Sequence, residues 1–136
     1  GFWRIAMRPG KPLMFGRMTG SSGEMRVLGL PGNPVSSIVC ALLFLRPLID
    51  SLLGRPTRDP SEPAILGREV PPNDGRQDYV RAALAIREAE LPLVTPFDRQ
   101  DSSMLGILAA AQCLLVRPPN APAGHAGDPC RIVRLP

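Results

Sequence analysis

Apolar and polar residues alternate with a period of two over roughly the first thirty positions, then switch to a helical period. Phe2 to Met7 and Leu13 to Met18 read as strands separated by a Pro-Gly turn, Thr19 to Gly23 as a hairpin-like loop, and Met25 to Leu30 as a third strand. From about Pro34 to Leu53, Ile38, Val39, Leu42, Leu45, Ile49, Leu52 and Leu53 recur at helical spacing, and Gly54 is a natural stop. The middle turns are apolar on nearly every side, which predicts a helix buried against a sheet or a partner. Pro47 lacks an N–H and crowds the carbonyl of Leu43, which predicts a bend.

Gly54 to Pro63, with Pro56, Pro60 and Pro63 among several charges, reads as a domain boundary. Beyond it come short strands at Ala64 to Val70, Tyr79 to Arg87 and Leu91 to Thr95. A short helix over Ser103 to Ala111 and strands at Cys113 to Arg117 and Arg131 to Leu135 follow. Strands at this spacing, with Asn73-Asp74-Gly75 and Pro118-Pro119-Asn120 turns, predict a small β-barrel. Within one strand Val80, Ala82, Leu84 and Ile86 share a face, so Tyr79 and Arg81 share the other and Arg81 points away from the barrel's core. The resulting division is 1–54, a linker at 55–63, and a barrel at 64–136.

Composition narrows the function. Hydrophobic residues make up 44% of 136, enough for a core, and no apolar run approaches a membrane span. Sixteen Lys and Arg against 12 Asp and Glu give +4, a balance that suits small anions. An aromatic content of 4% argues against base stacking on single-stranded nucleic acid. Cys40, Cys113 and Cys130 are odd in number and lack metal-ligand spacing, so they read as reduced packing thiols of a cytoplasmic protein. His125 lies alone in a loop and is assigned nothing, while Asp98, Asp101 and Glu88 to Glu90 read as a solvated face. The chain opens on glycine without a signal peptide, and we read it as part of a longer polypeptide.

Two blocks carry candidate chemistry: Arg8-Pro9-Gly10-Lys11-Pro12 and Leu30-Pro31-Gly32-Asn33-Pro34-Val35-Ser36. Arg8 and Lys11 supply positive charge on rigid backbone, and Gly32 lets backbone approach a ligand. Asn33 can cap the next helix, Pro34 suits its first turn, and Ser36 lies beside that turn's unpaired N–H groups. Such groups suit an oxyanion. Taken alone, Pro31 to Pro34 fit a capped helix start better than a site, while Arg8 and Lys11 fit solvated turn charges, and Ser102 and Ser103 a simple helix cap, equally well.

The blocks Met7 to Leu13 with Phe15-Gly16, Gly29 to Ser36, Gly75 to Ala82 and Gln100 to Leu105 together resemble the molybdopterin molybdenumtransferase family, the MoeA proteins and their gephyrin-like relatives. The resemblance implies the C-terminal strands and helix of an α/β molybdopterin-binding domain followed by a small β-barrel. It implies a transferase of molybdenum cofactor biosynthesis that inserts molybdate into adenylylated molybdopterin with Mg²⁺ and releases AMP. By position it implies catalytic roles for Arg8, Lys11 and Arg81, and substrate contacts from Arg4, Ser36, Ser102, Pro31, Gly32, Asn33 and Pro34. It also implies a cytoplasmic homodimer, no nucleic-acid or membrane partner, and an upstream molybdopterin adenylyltransferase as partner. Asp101 departs from the family pattern, placing a carboxylate beside Ser102 that Arg99 can offset. The family's Gly-rich pterin loop and first two domains are not in this sequence, so this stretch alone is expected to be inactive. The alternative is a non-catalytic dimerisation module of the gephyrin type.

Overall fold

The alternation over the first thirty residues folds into strands, with a tighter hairpin than the loop of five residues predicted for it. A computed structural model describes residues 3–4, 7–8, 14–32, 34–98 and 110–136. The chain separates into two units, 1–58 and 59–136. In the first, β1 (Trp3–Arg4), β3 (Met14–Gly20) and β4 (Gly23–Gly29) form an antiparallel sheet in the order β1-β3-β4, and β2 (Met7–Arg8) is a short strand outside that sheet. Gly20 pairs with Gly23, so Ser21 and Ser22 alone make the turn, and Thr19 belongs to the ladder opposite Glu24. Neither serine takes a positive φ; Gly23 does, at 120°, immediately after the turn.

The register sorts the hairpin's faces. Met18 stands opposite Met25 on one side, and Arg17 stands opposite Arg26 on the other. Glu24 offsets that like-charge pair, its Oε1 lying 2.7 Å from Arg26 Nη1 and 3.7 Å from Arg17 Nη1. All three side chains are well exposed, so the pairing contributes at most about 1 kcal/mol.

The predicted helix runs from 34 to 52 in three pieces: α1 (Pro34–Cys40), a π-helical stretch (Ala41–Leu45) and α2 (Arg46–Leu52). The π stretch lies immediately before Pro47, where the sequence predicts a bend. Arg46 N–H donates to the carbonyl of Ala41, five residues back, and widens the turn just where Pro47 cannot donate to Leu43. The helix ends in a Schellman motif. Gly54, at φ +71°, donates its N–H to Ser51 O at 3.1 Å, and Arg55 donates to Asp50 O at 2.8 Å.

Val39 and Cys40 are fully buried, but Ile38 is 50% exposed and Leu52 62%, with Ile49 and Leu53 exposed beside them. A helix apolar round most of its circumference needs neighbours on more than one side, and among the described residues nothing covers this stripe. No described helix is long and apolar enough to cross a membrane.

The second unit is a closed ring of β5 (Ser61–Leu66), β6 (Gln77–Ala85), β7 (Leu93–Pro96), β8 (Cys113–Arg117) and β9 (Pro129–Arg134). Going round, β5 pairs with β7 in parallel, and β7–β6, β6–β8, β8–β9 and β9–β5 are antiparallel. The strands sit two or three residues from some predicted bounds. The one expected over 64–70 occupies 61–66, leaving Val70 in an isolated bridge with Gly124. Ile86 falls beyond the end of β6 and is 70% exposed, so it does not share the inward face of Val80, Ala82 and Leu84. The helix expected over 103–111 lies almost wholly outside the described residues.

Ala64, Leu66, Ala82, Val94, Cys113, Leu115 and Ile132 fill the barrel, with Val70 closing one end. At that end Asn73 Nδ2 donates to the carbonyls of Arg76 and Pro118 at 2.7 and 2.9 Å, tying two corners together. Arg117 Nη2 donates to Pro71 O at 3.0 Å across the same corner.

Candidate anion-binding site

The candidate residues fall into two groups, one on each unit. In the first, β2 carries Arg8, whose side chain is partly buried, and β1 carries Arg4. After β4 the chain passes buried Pro31 and exposed Gly32 and enters α1 at Pro34. Ser36 lies in the first turn of α1 and is only 7% exposed. That turn holds no acidic residue, so the positive end of the helix faces no competing carboxylate of its own. Lys11 and Asn33 lie outside the described residues, as do Ser102, Asp101 and Arg99 of the barrel segment.

In the second unit Arg81 sits in the middle of β6 between Val80 and Ala82, both of which meet the barrel core. Its side chain therefore points away from that core, as the alternation predicts, yet it is only 3% exposed. Its carbonyl accepts the N–H of Phe97 at 3.1 Å. Across the strands Arg81 stands opposite Leu114, and Leu114 stands opposite Val133. Those two also lie outside the barrel core and are 0% and 3% exposed. Arg81 thus continues an apolar outer row. Away from water, a guanidinium attracts an anion more strongly than it does on the surface, and its planar fork suits the paired oxygens of an oxyanion.

Sequence reasoning passed over Leu114 and Val133. The signal was present in Cys113-Leu114-Leu115-Val116, a run apolar at every position, which is the mark of a strand covered on both faces.

The thiols offer little nucleophilic chemistry. Burial pushes Cys40 and Cys130 up to about 11 and Cys113 up to about 12, so all three stay protonated at neutral pH. Burial also raises Tyr79, whose hydroxyl accepts from Gln77 Nε2 at 2.6 Å. Among the described residues no three His, Cys, Asp or Glu side chains converge on a point that could hold a metal ion.

Comparison with known proteins follows the two units. Residues 63–135 match the family described as MoeA C-terminal region (domain IV), and residues 1–51 match the probable molybdopterin binding domain. A molybdopterin molybdenumtransferase of Haemophilus influenzae is 32% identical over 117 residues, covering 85% of this chain and 28% of the relative. The Bacillus subtilis protein of the same name is 28% identical over 135 residues, covering 98% of this chain and 30% of its own length. This chain therefore spans under a third of these relatives. Among solved structures, a molybdopterin biosynthesis moeA protein from Pyrococcus horikoshii OT3 superposes with a TM-score of 0.74 at 20% identity, over 98% of this chain and 32% of that one. A molybdenum cofactor biosynthesis protein from Pyrococcus furiosus gives 0.74 at 22%, over 97% and 44%. At such identities the likeness shows a shared fold.

Proposed function

The chain belongs to the MoeA family of molybdenum cofactor biosynthesis, and we propose that it supplies the oxyanion-holding part of a molybdopterin molybdenumtransferase. The observation that carries this reading is Arg81, a guanidinium 3% exposed on the outer wall of the barrel matched to the MoeA C-terminal region. The substrates in this reading are molybdate and adenylylated molybdopterin, and the product is the molybdenum cofactor, with AMP released. By the resemblance, Arg8, Lys11 and Arg81 are the cations assigned to the molybdate dianion, with Ser36 and Ser102 as the hydrogen-bond donors. Arg4 meets the pterin phosphate or adenylate. The start of α1, after Pro31 and Gly32, offers backbone N–H groups that favour negative charge. Cleavage of the phosphoanhydride adds negative charge that these cations stabilise.

Mg²⁺ keeps several waters and binds through one or two carboxylates and substrate phosphates, so in this reading the adenylylated substrate brings the ion with it. The setting is the cytoplasm, in a homodimer served by a molybdopterin adenylyltransferase.

Molybdate should raise the melting temperature of the chain more than sulfate does at equal ionic strength, and Arg81→Ala should abolish the difference while the barrel stays folded. Equal protection by the two anions, or a molybdate response unchanged in Arg81→Ala, would refute the assignment. The exposed stripe Ile38, Ile49, Leu52 and Leu53 favours a second reading, an assembly module. Concentration-dependent dimerisation without any oxyanion response would support it.

A further inference from the structure

We infer that Leu114, with Val133 behind it, is a positioning residue that sets the direction of the Arg81 guanidinium; this rests on the oxyanion reading of Arg81. Arg81 of β6 is directly opposite Leu114 of β8, and Leu114 is directly opposite Val133 of β9. Directly opposed residues share a face of the sheet with Cβ atoms about 5 Å apart, so the three side chains form one row across the barrel's outside. All three are covered, at 3%, 0% and 3% exposure. Leu114 and Val133 nevertheless take no part in the cluster that fills the barrel, where Cys113, Leu115 and Ile132 do that task.

Their burial accordingly serves the outer wall. An arginine carries three aliphatic carbons before its charge, and that stem needs an apolar surface to lie along. The branched side chain of Leu114 supplies one at the neighbouring position, and Val133 limits the space into which Leu114 can turn. Held at its base by the β6 backbone and along its stem by Leu114, the guanidinium has few rotamers left. An anion then meets a fork already aimed, and little ordering remains to be done on binding.

Calorimetric titration of the chain with molybdate tests this, with urea unfolding measured on every variant. Leu114→Ala should weaken molybdate binding about tenfold, within the range that slight misplacement of a binding group produces. Leu114→Met, which restores the volume, should recover most of the loss, and Val133→Ala should give a smaller loss of the same kind. The decisive comparison is the double variant. In an Arg81→Ala background, Leu114→Ala should have no further effect on molybdate, because its action passes through the arginine. Unchanged affinity in both Leu114→Ala and Val133→Ala, or a loss from Leu114→Ala of the same size whether or not Arg81 is present, overturns the inference while leaving the role of Arg81 intact. Absence of molybdate binding by the unsubstituted chain, or binding indifferent to Arg81→Ala, overturns the oxyanion reading and this inference with it.

Discussion

Cys113 lies inside the barrel, where its Sγ–H donates to the carbonyl of Ala82 at 3.7 Å. Burial pushes its thiol up from 9.0 to about 12, with Cys130 adding to the rise and Arg134 opposing it. In the unfolded chain the thiol ionises first, so this group favours the folded state below about pH 9, and that contribution is lost as pH climbs toward about 12. The urea midpoint should therefore fall between about pH 8 and about pH 10.5, and Cys113→Ala should lessen the fall; an equal fall in the variant would show that other groups cause it. The direction of Arg81 was legible by the same alternation, because Val80 and Ala82 are apolar and it is not. Leu114 was not legible as its neighbour. When both faces of a strand are apolar, the period of two disappears, and only the register across strands says which residue meets which.

The helix shows how far periodicity reaches. Its start near Pro34 and its stop at Gly54 follow from spacing and from the conformational freedom of glycine, and both are present. The π-helical turn does not follow. Pro47 announces that a hydrogen bond is missing, but local sequence does not say that the backbone answers with a widened turn. The exposed stripe makes a related point, since an apolar surface records a need for cover without saying which element meets it. Gly54→Ala places a Cβ in left-handed backbone and should lower the stability of this unit by about 1–2 kcal/mol, with Gly54→Asn costing less. Urea unfolding followed by helical circular dichroism measures it, and an alanine variant as stable as the parent would remove the Schellman motif from the account.

The break between the units, after Arg58, falls in the proline-rich stretch where composition changes. Residues 51–60 are exposed throughout, and 55–60 belong to no helix or strand. Trypsin should cut this segment early. Arg55 precedes Pro56 and resists cleavage, so the cut should follow Arg58 and release a barrel of 59–136 that keeps its strand circular dichroism. Loss of that signal on cleavage would show that the ring depends on the rest of the chain. That the second unit is a barrel was legible from the spacing of short strands and turns. The order of strands round it was not, because β5 meets β7 in parallel only after β6 has been made.

In this ring the earliest strand and the latest one lie side by side: β5 begins at Ser61, and its partner β9 ends at Arg134. During synthesis the N-terminal strands leave the ribosome well before the one that must seal the seam. Until it arrives, β5 and β8 each present an unfinished flank to solvent, open to capture by a stray strand from another nascent polypeptide.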